Sequence, residues 1–145
     1  MNFQVATFWT HIGKFELQGS DYQLKIPPGI PSLPGVYQII ALDAPDSMNQ
    51  IYVGEGKNLL RRLNNYRNAG YEPCRPAATN RRVQGWIYEG LSSNVSEFEI
   101  HICTEGTATD SNGISMNLDF SLKHSRILVE NLVRTTKSNL RFENV

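Results

Sequence analysis

The 145-residue chain carries 14 Lys+Arg against 14 Asp+Glu, a formal net charge of zero, with 40% hydrophobic residues, 7 Pro and 11 Gly. That length fits one domain with room for a core without staples, and the composition excludes disordered, collagenous and coiled-coil chains. No apolar run approaches the ~18 residues of a membrane span, the N-terminus lacks the basic head and apolar stretch of a signal peptide, and two cysteines, Cys74 and Cys103, make no disulfide framework, so a cytoplasmic protein with no membrane contact is expected.

Residues 1–26 have no clean period. Phe3, Val5 and Thr7 alternate as in a strand, whereas Phe8, Ile12 and Phe15 keep helical spacing. They are read only as an N-terminal extension that packs on or flanks the core. The segment PPGIPSLPG at 27–35 is an irregular connector, because Pro fixes φ and Gly permits φ > 0. Gly35–Leu42 is rich in β-branched residues and predicts a strand. Pro45-Asp46-Ser47 signals a turn, and Gln50–Val53 predicts a second strand broken by Gly54. The two strands form a hairpin with a long loop.

Asn58 is the expected N-cap of a helix over Leu59–Asn68, and Asn80 that of a helix over Arg81–Leu91 with Val83, Trp86, Ile87 and Gly90 on one face. Phe98–Cys103 alternates and predicts a third strand, followed by a long polar loop over Glu105–Asp119. A last helix is expected from about Leu122 to Lys137. The order strand, strand, helix, helix, strand, helix predicts an α+β domain with a small, mainly antiparallel sheet flanked by helices.

The zero net charge hides an asymmetry. Between Glu55 and Arg82 stand seven basic residues, Lys57, Arg61, Arg62, Arg67, Arg75, Arg81 and Arg82, against two acids, Glu55 and Glu72. That segment is +5 and the remainder −5, which hints at a polyanion partner or, more blandly, at helices with basic outer faces. Within it, Leu59, Leu63 and Tyr66 form a helical stripe, and Arg62 falls inside that stripe whereas Arg61 points to solvent. An arginine on a core-facing side needs a partner or a purpose, unless its stem merely snorkels across the core edge. Glu130 lies at the margin of the buried side defined by Leu128, Val129, Leu132 and Val133, four residues from Arg126 and from Arg134. On spacing alone this is a surface ion-pair ladder. Tyr37 and Tyr52 fall on the two hairpin strands, where Tyr commonly just packs.

Taken together these residues resemble the GIY-YIG nuclease family. Gly35-Val36-Tyr37 and Tyr52-Val53-Gly54 match its two tripeptides, each with Ile replaced by Val. The run Tyr52-Val53-Gly54-Glu55-Gly56-Lys57-Asn58-Leu59 into Arg61-Arg62-Leu63 is similar to its strand, small-residue turn and arginine-bearing helix. Arg62 takes the family arginine's place, and Glu130, in RILVENLVR, that of its glutamate; the family asparagine falls on Asn144 or Asn139. The resemblance covers residues 27–145. Departures are Glu55, where relatives often carry Lys or a small residue, the long interval between Tyr52 and Glu130, and the lack of a Pro before the asparagine.

The resemblance implies a DNA endonuclease, sequence- or structure-selective and of a restriction-like or repair type, hydrolysing phosphodiester bonds with one divalent cation, Mg2+ or Mn2+. It implies that Glu130 is the protein's metal ligand, that Arg62 stabilises charge on phosphate, that Tyr37 accepts a proton from or orients the attacking water, that Tyr52 aligns water or phosphate, and that Asn144 orients neighbouring groups. Lys57, Arg61, Arg81 and Arg82 are expected DNA-phosphate contacts, on a monomer or a homodimer. The alternative is a non-catalytic nucleic-acid-binding module of the same fold. Two rivals fit the residues worse. Gly54-Glu55-Gly56-Lys57 lacks the spacing and Ser/Thr of a phosphate loop, and His101 with Cys103 on one strand face lacks further ligands at a recognised spacing.

Overall fold

The β-branched run at Gly35–Leu42 forms a strand, and Ile51–Gly56 pairs with it antiparallel, Tyr37 opposite Gly54 and Ile39 opposite Tyr52. The computed structural model describes residues 3–19, 23–67 and 78–136. In chain order the elements are β1 (Gln4–Leu17), β2 (Leu24–Lys25), β3 (Gly35–Leu42), β4 (Ile51–Gly56), α1 (Leu59–Asn64), α2 (Ala78–Ser92), β5 (Glu97–Thr109), β6 (Ser115–Asn117) and α3 (Lys123–Thr136). The sheet runs β2-β1-β5-β3-β4, with β6 on β5, and every pairing is antiparallel. The fold is α+β, as expected.

Alternation along the strands sends two sets of side chains to opposite faces. Tyr37, Ile39, Tyr52, Phe98 and Ile100 pack with Leu59, Leu63 and Tyr66 of the α1 region and Val83, Trp86 and Ile87 of α2. Val36, Ile51, Val53 and Cys103 pack with Phe120 and with Val129 and Val133 of α3. The sheet is therefore covered by α1 and α2 on one side and by α3 on the other. Among the described residues no helix is long and apolar enough to cross a membrane.

Several elements differ from the expectation. Residues 4–17 are a 14-residue strand paired with β5. Its register shifts between Phe8 and Trp9 and between His11 and Gly13. The second shift places Ile12 as an extra residue in β1 and inverts its alternation, which is why no single period is visible, whereas the first leaves the extra residue, Thr104, in β5. Gly54 does not end β4, which continues to Gly56. The helix expected over Leu59–Asn68 stops at Asn64, although Asn58 caps it as expected, its side chain accepting from the Arg61 amide at 3.0 Å. Asn80 is no cap: α2 begins at Ala78, and Asn80 lies within its first turn.

The polar stretch after Cys103 is largely strand rather than loop. β5 runs on to Thr109 and turns back into β6. Its inward residues there are Gly106 and Ala108, too small to look like a hydrophobic pattern. The turn is made by Asp110, whose Oδ1 accepts from the Asn112 and Ile114 amides, and by Gly113 at φ +81°, where other residues are strained. On α3 the buried side is Ser125, Arg126, Val129 and Val133; Leu128 is exposed.

Candidate functional site

β4 is the edge strand of the sheet next to β3, so groups from both helical layers can reach around it. Tyr52, Gly54, Glu55, Arg62, Glu130 and Arg134 line a cavity of about 160 Å³ there, with Val53. Arg62 arrives from α1 and Glu130 and Arg134 from α3. Three residues singled out in the sequence, Tyr52, Arg62 and Glu130, thus converge from three elements.

Behind them is a cluster of phenols. The hydroxyls of Tyr37 and Tyr66 are 2.5 Å apart, and both side chains are fully buried. The Tyr52 ring lies 6.1 Å from that of Tyr37 and meets that of Tyr66 edge-on at 6.3 Å. Gly54 makes the cluster possible: a Cβ there would collide with the Tyr37 hydroxyl. The glycine of the second tripeptide is thus the floor on which the tyrosine of the first one rests. Burial, with Tyr52 adding to it, holds the Tyr37 pKa far above that of a free tyrosine, and burial does the same for Tyr66 with Tyr37 beside it. Both stay protonated at any working pH. Tyr37 stands behind the cavity wall rather than on it, so its burial suits a hydroxyl that relays a hydrogen bond better than one that accepts a proton.

The arginine inside the α1 stripe has both a partner and an aromatic platform. Its Nη1 donates to Asn80 Oδ1 at 2.7 Å, and its guanidinium lies 5.1 Å from the Tyr66 ring centre. The Asn80 bond fixes the fork and leaves other N–H donors free for an anion. Asn80 and the Tyr66 hydroxyl were not singled out from the sequence. An Asn before an apolar run looks like a cap, and a Tyr in a stripe looks like core.

The two glutamates at the cavity are held differently. Glu55 pairs with Arg126, Nε to Oε2 at 2.6 Å, and Arg126 is 1% exposed and also donates to the Phe120 and Ser121 carbonyls. The expected Arg126–Glu130 rung is therefore replaced by a buried pair across the sheet edge. Among the described residues Glu130 keeps only the Arg134 contact, at 3.4 Å, while Arg134 also donates to the Val53 carbonyl at 3.2 Å and its buried Nε has no hydrogen-bond partner. Burial raises the Glu130 pKa; Arg134 and Arg62 lower it, Glu55 raises it further, and the net shift is upward. The carboxylate is under-compensated, a state that one more cation relieves. Oxygen donors around a small polar cavity fit a hard divalent ion such as Mg2+ or Mn2+, so the residues present suit the cation the resemblance implies, with Glu130 as the group that would hold it.

Lys57 and Arg61 are exposed beside the start of α1, and Arg81 and Arg82 are exposed in the turn of α2 that carries Asn80. None of the four lines the cavity. Asn144, its alternative Asn139, Arg75 and Cys74 lie outside the described residues.

No family model, curated protein or solved structure matches the chain.

Proposed function

We propose that the chain is a divalent-metal-dependent DNA endonuclease of GIY-YIG type that hydrolyses phosphodiester bonds. The observation that carries this reading is the convergence of Tyr52, Arg62 and Glu130, from β4, α1 and α3, on one small cavity. A phosphodiester resists hydrolysis because it is anionic and needs a water placed in line. Arg62, immobilised by Asn80, donates to the phosphate oxygens as their charge grows. Tyr52 aligns the phosphate or the attacking water, and the Tyr37–Tyr66 pair fixes the orientation of Tyr52 from behind. Glu130 holds the cation, which when bound supplies Lewis-acid polarisation of the phosphate. Lys57 and Arg61, with Arg81 and Arg82, hold the backbone on either side, giving salt-sensitive positioning without base readout.

The test is cleavage of single- and double-stranded DNA with Mg2+ or Mn2+ by wild type and Glu130→Gln. Wild-type cleavage that EDTA abolishes, reduced about 10²–10³-fold or more in the variant, supports the reading. DNA binding without cleavage by wild type would instead make the chain a binding module, and equal cleavage by both proteins would remove Glu130 from the site.

A further inference from the structure

A second group of ligand-type side chains lies elsewhere on the sheet and takes no part in the site above. We propose that His11, Glu99 and His101 bind a divalent transition metal ion, with Zn2+ the best fit. This inference does not depend on the nuclease reading.

The register creates the cluster. His11 on β1 stands opposite His101 on β5, and Glu99 lies two residues before His101 on the same strand face. The two imidazoles are parallel, with centres 4.7 Å apart. The Nε2 of His11 is 3.5 Å from Glu99 Oε2, and the Nε2 of His101 is 3.3 Å from Glu99 Oε1. All three donor atoms lie within 4.8 Å of one another. Donors at ~2.0–2.1 Å from a tetrahedral zinc are roughly 3.3 Å apart; each histidine nitrogen is near that distance from one oxygen of Glu99, a different oxygen for each, and side-chain rotation from within 4.8 Å brings one oxygen to both. Two neutral imidazoles and one carboxylate are a zinc donor set that leaves the fourth position for water. The imidazole donors set this site apart from that of Glu130, where the metal-donor atoms are oxygens, which favour Mg2+.

A second, independent observation lies beside His101, in a cavity that His11 and Glu99 do not line. On the far side of His101 the register partner is Gln38 of β3. Gln38 is 5% exposed, its Oε1 has no hydrogen-bond partner among the described residues, and it lines with His101 a cavity of about 480 Å³. A buried carbonyl acceptor left unpaired beside His101 is suited to a metal-bound water, which is a strong donor. His11, with its side chain 49% exposed, leaves the cluster open to solvent for metal entry. Cys103, on the same strand, is not a ligand: its buried thiol donates to the Glu105 carbonyl. The histidine pair is hidden in the sequence because His11 and His101 meet only through a strand that shows no period.

The experiment is titration of the EDTA-treated full chain with Zn2+ by calorimetry and with Co2+ by absorption spectroscopy. Wild type should bind one zinc saturably and show Co2+ bands of nitrogen and oxygen coordination. His11→Gln and His101→Gln should each weaken binding by about tenfold or more, and zinc should raise the melting temperature of wild type but not of His11→Gln. Glu130→Gln should bind zinc as wild type does. His11 is half-exposed, so its variant folds even if that of His101 does not. No saturable binding at submillimolar zinc, equal affinity in His11→Gln, or a cobalt–thiolate charge-transfer band would each overturn the proposal.

Discussion

On the α1 and α2 side of the sheet the polar groups near β4 are uncharged phenols, one amide and a single arginine; on the α3 side they are two glutamates and two arginines. Among the described residues the first side offers rigid hydrogen-bond donors but no carboxylate. The second offers carboxylates, one tied down by Arg126 and one under-compensated. Neither side alone has the parts needed to hold a phosphodiester and a cation together. They meet only because β4 is an edge strand, where side chains from two layers that are elsewhere separated by the sheet line one cavity. The difference in how each side is held, packed hydroxyls against buried ion pairs, makes the two separable by mutation.

The largest effect on stability is expected on the α3 side. Arg126→Met leaves Glu55 facing the interior without its partner, and should cost about 3–5 kcal/mol in urea unfolding. The double variant Glu55→Gln/Arg126→Met should recover a good part of that loss, since no unpaired charge remains. On the α1 side, Gly54→Ala drives a methyl into the Tyr37 hydroxyl and should cost about 1–3 kcal/mol, with a fall in cleavage because Tyr52 loses its support. Wild-type stability in Gly54→Ala would mean that the phenol cluster does not rest on β4.

A smaller effect separates stability from function at Glu130. Its pKa is raised by burial, above the ordinary glutamate value of about 4.3. The native state therefore binds this proton more tightly than the unfolded chain. The stabilising contribution is complete below the unfolded pKa and is lost as pH rises through the folded one. Glu130→Gln should accordingly melt no lower than wild type near pH 7, while cleavage falls about 10²–10³-fold or more. Wild-type cleavage should fall as pH drops through the raised pKa, because the cation needs the carboxylate. The smallest effect is expected from Lys57→Ala/Arg61→Ala. This pair should weaken binding to duplex DNA and leave stability unchanged. The slope of log affinity against log salt should become shallower by about 0.9 for each phosphate that is no longer neutralised.

Much of this arrangement is legible in the residues themselves. The hairpin appears in the β-branched runs around Tyr37 and Tyr52, the capped helix in Asn58, and the odd position of Arg62 in the helical wheel. What could not be read depends on the approach of distant segments. The β1 alternation is inverted by one extra residue, Ile12, at the register shift between His11 and Gly13. The continuation of β5 is masked by Gly106 and Ala108, whose burial comes from backbone approach rather than from side-chain size. Arg126 has the spacing of a surface rung to Glu130, and only the packing of α3 on β4 reveals that it belongs to Glu55, 71 residues away. Asn80 and Tyr66 look like a cap and a core residue until the fold brings both to Arg62.

If Arg62 and Glu130, from opposite sides of the sheet, act as one site, removing both costs no more than removing the more important one. The direct measurement is metal-dependent cleavage by wild type, Arg62→Ala, Glu130→Gln and the double variant, each checked for folding. Residues that act as a unit are strongly non-additive, so the double variant should be no slower than the worse single one. Losses that multiply in the double variant, or wild-type rates in either single variant, would contradict the claim.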